Sequence, residues 1–249
     1  MRKYLMDTVL DLIYPSNIYC ISCGKPINDN LPYALCDSCV RIINWTNQET
    51  CEVCGKPLRI GKRDRLCSDC QKRPRFFNRG FTCTRYGTLE RDLIHRFKYH
   101  DQAYYGRKLA DLMIERLKVE DLQVDIVLPV PMYKGKEKRR GYNQASLLAK
   151  NIAIYLEKPF NPGLLIRTTD TLPMSGLGIT DRRDNIEGVF VVKKEKQREI
   201  CGKAVLLVDD VFTTGSTADG CAKVLLKAGA VKVYVATFAA GIDPVESAL

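Results

Sequence analysis

Residues 205–217 read VLLVDDVFTTGST. Val205–Val208 is an apolar run bounded by polar residues, the pattern of a central strand in a parallel sheet buried on both faces. Asp209 and Asp210 stand at the exit of that strand, where charges are expected only if something there uses them. Thr213, Thr214, Gly215, Ser216 and Thr217 follow, with small side chains and accessible backbone N–H groups. Beyond them, ADGCAKVLLKAGA places Cys221, Val224, Leu225 and Ala228 at i, i+3, i+4 and i+7, one apolar face of a helix that Gly229 ends. The unit is strand, acidic pair, hydroxyl-rich loop, helix, and it predicts an α/β fold.

That unit suits a ligand carrying a phosphate beside a sugar. A helix N-terminus presents unpaired N–H groups and the positive end of its dipole, which together attract an anion. Gly215 lets the backbone approach closely, and the hydroxyls add donors. Ionised Asp209 and Asp210 accept hydrogen bonds only, so they match a vicinal diol or a cation. In open α/β sheets such ligands bind at strand ends. The stretch lacks the Lys-Ser/Thr ending of a Walker A loop. It also lacks the order of a dinucleotide fingerprint, whose acidic residue comes after the glycines. An ordinary capped turn with solvated aspartates is the plainer alternative, and it leaves the coincidence of features without a reason.

A second strand exit carries the opposite charge. VDIVLPVPMY reads as a strand over Asp125–Val130, stopped by Pro129 and Pro131. It opens a loop, KGKEKRRGYNQ, whose basic residues are Lys134, Lys136, Lys138, Arg139 and Arg140, and QASLLAKNIAIYL follows as a helix. A charge run is usually a solvated loop; its position after a buried strand points to an anionic ligand instead. If both exits lie at one sheet edge, the site holds a diol, a monophosphate and a pyrophosphate. LERDLIHRFKYH and GRKLADLMIERL read as helices, the latter with Leu109, Leu112, Met113 and Leu117 on one face. His95 and His100, the only histidines, read as surface or packing residues. TLPMSGLGITDRRDNIEGVF, with two arginines and no clear periodicity, is a candidate lid.

The first eighty residues have another chemistry. Nine of the eleven cysteines precede residue 84, and eight form CxxC pairs: Cys20/Cys23, Cys36/Cys39, Cys51/Cys54 and Cys67/Cys70. CISCGKPINDNLPYALCDSC and CEVCGKPLRIGKRDRLCSDC repeat with a period of 31. Such pairs form tetrahedral thiolate sites, and the glycine after the second cysteine suits the knuckle turn. Two structural zinc ions are therefore expected. The equal spacing favours sequential over crossed pairing, and metal supplies the folding energy of so small a segment. Lys62, Arg63, Arg65, Lys72, Arg73 and Arg75 beside Phe76 and Phe77 fit single-stranded nucleic acid; a solvated face over two core phenylalanines fits equally well. Cys83, Cys201 and Cys221 read as buried thiols.

The chain's 249 residues carry 39 basic and 29 acidic side chains, a formal charge of +10. Eight thiolates and two divalent ions lower that by four, to about +6. No stretch reaches the length of a membrane span. The amino terminus MRKYLMDTVLDLIYP is interrupted by Asp7 and Asp11, so an amphipathic helix is expected rather than a signal peptide, and with it a cytoplasmic protein.

Taken together, the four CxxC pairs, FKYHDQAYYGRKLA, LPVPMYKGKEKRRGYNQ, GITDRRDNIEGVF and VLLVDDVFTTGST resemble the ComF family of competence proteins, homologues of the type I phosphoribosyltransferases. The resemblance covers nearly the whole chain. It implies a zinc-ribbon domain over residues 1–80 and, over 81–249, a phosphoribosyltransferase fold with a central, mostly parallel sheet flanked by helices. It implies a site for Mg²⁺ and 5-phosphoribosyl-1-pyrophosphate (PRPP). In it Asp209 and Asp210 bind the ribose hydroxyls, with Asp209 also organising Mg²⁺ indirectly. Thr213, Thr214, Gly215, Ser216 and Thr217 hold the 5-phosphate. The segment after Val130 faces the pyrophosphate with Arg139 and Arg140, and Arg182 and Arg183 lie in or beside the closing loop. Met174 departs from the family pattern, which usually has Gln there. Two functions follow: phosphoribosyl transfer to a nitrogenous acceptor, or a non-catalytic role in DNA uptake through single-stranded DNA or a helicase partner, with PRPP as a regulatory ligand.

Overall fold

The computed structural model describes residues 18–28, 31–46, 49–59, 61, 64–99, 102–170 and 188–243. The expected amino-terminal helix, Lys62, Arg63, His100, Met174, Arg182 and Arg183 lie outside these residues.

Each ribbon begins with a knuckle. Cys20 N–H donates to Lys25 O and Gly24 N–H to Cys20 O, and the same bonds join Cys51 to Lys56 and Gly55 to Cys51, at 2.8–2.9 Å. Gly24 and Gly55 both have positive φ, 73° and 70°, the conformation that favours glycine at this turn. Each ribbon closes with a short helix, α1 (Asp37–Ile42) and α2 (Ser68–Lys72), which start at their second CxxC pairs. The sequence repeat is thus a structural repeat.

The chain then enters β1 (Arg79–Arg85), α3 (Thr88–Tyr99) and α4 (Gln102–Lys118). Next come β2 (Ile126–Pro129), α5 (Lys134–Arg140) and α6 (Gln144–Tyr155). The short strands β3 (Leu165–Arg167) and β4 (Phe190–Val192) pair antiparallel. Finally come β5 (Ala204–Phe212), α7 (Ser216–Lys227) and β6 (Lys232–Ala240). Four strands form a parallel sheet in the order β1-β6-β5-β2. The expected α/β architecture, a parallel sheet flanked by helices and joined to four-cysteine ribbons, is what the chain adopts.

Alternation along β5 sends Leu206 and Val208 to one face and Val205 and Leu207 to the other. The first face packs against α3, α4 and α6 through Leu93, Phe97, Met113 and Leu148, and the first ribbon joins that core through Ile21 and Leu35. The second packs against α7 and β4 through Cys221, Leu225 and Phe190, and the second ribbon joins through Phe77. The ribbons therefore lie on opposite faces of the sheet. They also meet the free side of β1. Gly80 N–H donates to Val53 O at 2.8 Å, Thr46 N–H to Cys83 O at 3.1 Å and Arg85 N–H to Asn44 O at 2.7 Å.

Three local expectations change. β5 continues past the acidic pair to Phe212, because β6 stays alongside it as far as Ala240 and the Phe212 side chain is buried. The basic run after Val130 is a helix over Lys134–Arg140 rather than an open loop, stopped by Gly141 at φ 89°, whose N–H donates to Glu137 O at 2.7 Å. Cys83 and Cys221 are buried as expected, but Cys201 is exposed, in the turn before β5.

Candidate functional site

All four strands of the main sheet point the same way, so their exits share one edge. Because β2 and β5 are neighbours, the segment after Val130 and the loop after Phe212 lie side by side there. The two charged exits read from the sequence are therefore brought together.

Asp209 and Asp210 are adjacent at the end of the strand, and their carboxyls lie close enough to interact directly. Asp209 lies on the α7 side, in front of the Cys221 thiol, which burial and the Asp209 charge push well above its ordinary value. Part of Asp209 reaches solvent, yet its carboxyl is crowded by protein. Burial, then the neighbouring Asp210 charge, push that carboxyl well above the usual range, while a 2.9 Å bond from the Asp210 N–H opposes them. Asp210 faces α3, where Lys98 Nζ lies 3.1 Å from its Oδ2. Lys98 was not picked out in the sequence, although it lies in the FKYH stretch behind the resemblance. Nothing local connects it to an aspartate so far along the chain.

After β5 the chain turns through Thr213 and Thr214 to Gly215, which N-caps α7 at φ 78°. Thr214 Oγ1 and Ser216 Oγ share a hydrogen bond of 2.9 Å. Gly215 supplies no side-chain acceptor to the first turn, which leaves that N-terminus able to receive an anion. A methyl group at Gly215 would collide with the Phe212 ring beneath it, so the residue is required by space as well as by φ.

On the β2 side, the Val130 side chain is buried and its carbonyl accepts from Asn143 Nδ2 at 3.0 Å. Asn143 also caps α6, accepting from Ala145 N–H at 3.1 Å, and so holds both ends of the basic segment. Within that segment the two arginines diverge. Arg139 is exposed and turns toward Asp170, which also pairs with Lys136. Arg140 reaches inward to Gln144 Oε1 at 2.8 Å. Gln144 is buried, and among the described residues its Nε2 has no hydrogen-bond partner. Tyr142 donates its hydroxyl proton to Phe97 O, beside Lys98. Burial pushes that hydroxyl above its ordinary value, and the charges of Arg140 and Asp210 both reach it. The cluster Lys98, Asp210, Arg140, Tyr142 and Gln144 is the polar side of the site. Tyr142 and Gln144 were legible only as neighbours of the arginines.

The cysteines form two clusters, Cys20/Cys23/Cys36/Cys39 and Cys51/Cys54/Cys67/Cys70, each with its sulfurs within 4.8 Å of one another. Pairing is therefore sequential. Four sulfurs about 2.3 Å from a central zinc stand about 3.8 Å apart. The Cys23–Cys36 and Cys54–Cys67 separations of 3.7 and 3.6 Å fit that tetrahedron. The second cluster is buried throughout, whereas Cys23 in the first is exposed. Phe77 belongs to the core and Phe76 is exposed, so the two readings of that pair divide between the residues. His95 is exposed and packs against Tyr99 with ring centres 4.7 Å apart.

Residues 9–71 match the model of the double zinc ribbon domain. The chain is similar to competence protein F of Haemophilus influenzae, with 33% identity over 174 residues, 68% of this chain and 76% of that protein. It is similar to DNA utilization protein YhgH of Escherichia coli strain K12 at 29% identity, over 68% and 75% of the two chains. Among solved structures, it is similar to the glutamine PRPP amidotransferase of Bacillus subtilis at 22% identity and a TM-score of 0.34. That match covers 53% of this chain and 24% of the amidotransferase, about a quarter of its length. Among the described residues, no helix is long and apolar enough to cross a membrane.

Proposed function

The chain belongs to the ComF family of competence proteins, and from that premise we propose that it binds Mg²⁺-PRPP at the β5 exit and acts in DNA uptake. The observation that carries this reading is the meeting, at one sheet edge, of the Asp209–Asp210 pair, the hydroxyl loop at the α7 N-terminus and the basic segment after β2. Asp209 and Asp210 hold the ribose diol. Thr213, Thr214, Gly215, Ser216 and Thr217 hold the 5-phosphate, and Arg140 with Gln144 Nε2 faces the pyrophosphate. By the family resemblance, Arg139 is a further charge donor to the pyrophosphate, and Arg182 and Arg183 belong in or beside the loop that closes over PRPP. Mg²⁺, when bound, neutralises pyrophosphate charge.

Transfer to a nitrogenous acceptor would proceed by attack at C1 of the ribose. The C1–oxygen bond to pyrophosphate breaks, its electron pair leaves with pyrophosphate, and the ribose ring carries positive charge in the transition state. Arg140 and Lys98 are cations already in place to steady the leaving charge. Lys98 reaches that role by exchanging its partner Asp210 for pyrophosphate as Asp210 takes up the diol.

Calorimetric titration of Mg²⁺-PRPP into the zinc-loaded protein tests the site. Binding by the wild type, and none by Asp209→Ala/Asp210→Ala, is the expected result. A folded wild type that takes up no PRPP would refute the reading.

One observation favours the second function, a non-catalytic factor contacting single-stranded DNA or a helicase. Phe76 is exposed, with Lys223 Nζ 5.6 Å from its ring centre and Arg75 next to it in the chain. A base stacks on such a ring and its phosphate meets such cations. DNA binding of this kind weakens steeply with salt and survives loss of both aspartates.

A further inference from the structure

The segment Arg75–Phe77 leaves the second zinc cluster and ends against the loop that follows β5. Arg75 Nε donates to Cys70 Sγ at 3.5 Å. The next residue, Phe76, donates its backbone N–H to Asp219 Oδ1 at 2.6 Å. Asp219 stands in the first turn of α7, and its own N–H donates to Gly215 O at 2.9 Å. Phe77 is buried, and its ring meets Phe212 edge to face, 6.3 Å between centres at 86°. Phe212 in turn fills the space beneath Gly215. Three consecutive residues thus connect a metal-ligating sulfur with both ends of the 213–217 loop. The first ribbon makes contacts of another kind, its Ile21 carbonyl accepting from Arg96 and Tyr105 on α3 and α4.

The loop needs such support. Gly215 is the residue with most conformational freedom to lose, and it caps α7 without a side-chain bond. A binding loop ordered only by its ligand draws that cost from the affinity, and a pre-ordered one does not. A buried edge-to-face ring pair and a carboxylate held by a backbone N–H are rigid supports. We infer that the second zinc ribbon holds the 213–217 loop in its anion-binding shape, with Phe77 and Asp219 as positioning residues that themselves touch no ligand. The inference rests on reading that loop as the 5-phosphate site of PRPP. It gives the two zinc centres different tasks, and makes occupancy of the second a condition of phosphate binding.

The test uses full-length, zinc-loaded wild type, Phe77→Leu, Phe77→Ala and Asp219→Asn, with zinc content measured for each. Amide hydrogen exchange is followed across 213–217 and, as the reference for global stability, across β5 and β6. Ribose 5-phosphate and Mg²⁺-PRPP are titrated by calorimetry. With two zinc ions retained, Phe77→Ala is expected to speed exchange at 213–217 about tenfold while the sheet is unchanged, and to weaken ribose 5-phosphate about tenfold. Phe77→Leu falls between, and Asp219→Asn shifts the loop in the same direction. Should Phe77→Ala lose its zinc or its fold, Asp219→Asn and Phe77→Leu carry the same comparison. Wild-type exchange at 213–217 in the folded, zinc-loaded variants would overturn the inference, as would wild-type affinity for ribose 5-phosphate. If the wild type binds neither ligand, the PRPP reading fails by itself and the exchange comparison still decides whether ribbon and loop are coupled.

Discussion

At Asp209, burial and the charge of Asp210 hold the carboxyl well above its usual range, against the Asp210 N–H and Lys98, which favour ionisation. The folded protein therefore keeps a proton there at pH values where the unfolded chain, with an ordinary aspartate near pH 4, has lost it. Stability falls as pH rises from about 4 through the folded value, because the native state must give up a proton it holds tightly. Asp209→Asn removes that cost. The variant is expected to melt above the wild type at pH 7, with the gap narrowing toward pH 4, and to lose PRPP binding. Thermal melts across that range, with calorimetry at pH 7, check both halves. Which residues to suspect was legible from VDDVFTTGST alone. That Cys221 lies near one carboxyl and Lys98 meets the other depends on the packing of α7 and α3 and is not written in the local sequence.

Between elements, the second knuckle and β1 touch backbone to backbone. A Cβ built on Gly55 would lie 2.5 Å from the Gly80 carbonyl oxygen, and one on Gly80 would strike the Cys54 carbonyl in the same way. Neither backbone can retreat without parting the ribbon from the strand. Gly80→Ala is expected to cost about 2–4 kcal/mol in urea unfolding and to lower bound zinc from two ions toward one. Gly55 was legible as a knuckle glycine, because turn chemistry is local. Gly80 was not, because its reason is a second backbone brought against it by the fold. The same division explains the other differences. The strand at 205–208 was legible from its apolar run, but its continuation to Phe212 depends on β6. The basic run looked like a loop because charge masks helical propensity, and only Gly141 marked its end.

Over the whole molecule, the ribbons share their interior with the sheet. Ile21, Leu35 and Ile43 belong to one buried cluster with Phe97, Met113 and Phe238, and Phe77 belongs to another with Val205, Phe212 and Leu225. We propose that the sequence boundary near residue 80 separates two stretches of chain that unfold as one. Zinc removal by a chelator is then expected to lower the melting temperature of the entire protein by about 10 °C or more, in a single calorimetric transition. Two separate transitions would show the ribbons to be independent. The CxxC pairs were legible, and their equal spacing favoured sequential order, but that order is given by the two sulfur clusters of the fold. The attachment of the ribbons to opposite faces of the sheet was not legible, since it rests on contacts between residues far apart in the chain.

The bonds that Asn44, Thr46 and Val53 make along β1 have a consequence for the making of the protein. An uncovered outer strand invites pairing with any other chain that offers one. Here the cover precedes the strand in the chain and leaves the ribosome first, so β1 emerges beside the segment that will shield it. A cell starved of zinc would make the strand without a shaped cover. Shortage of the metal would then appear as aggregated protein, not as a soluble pool waiting to be filled.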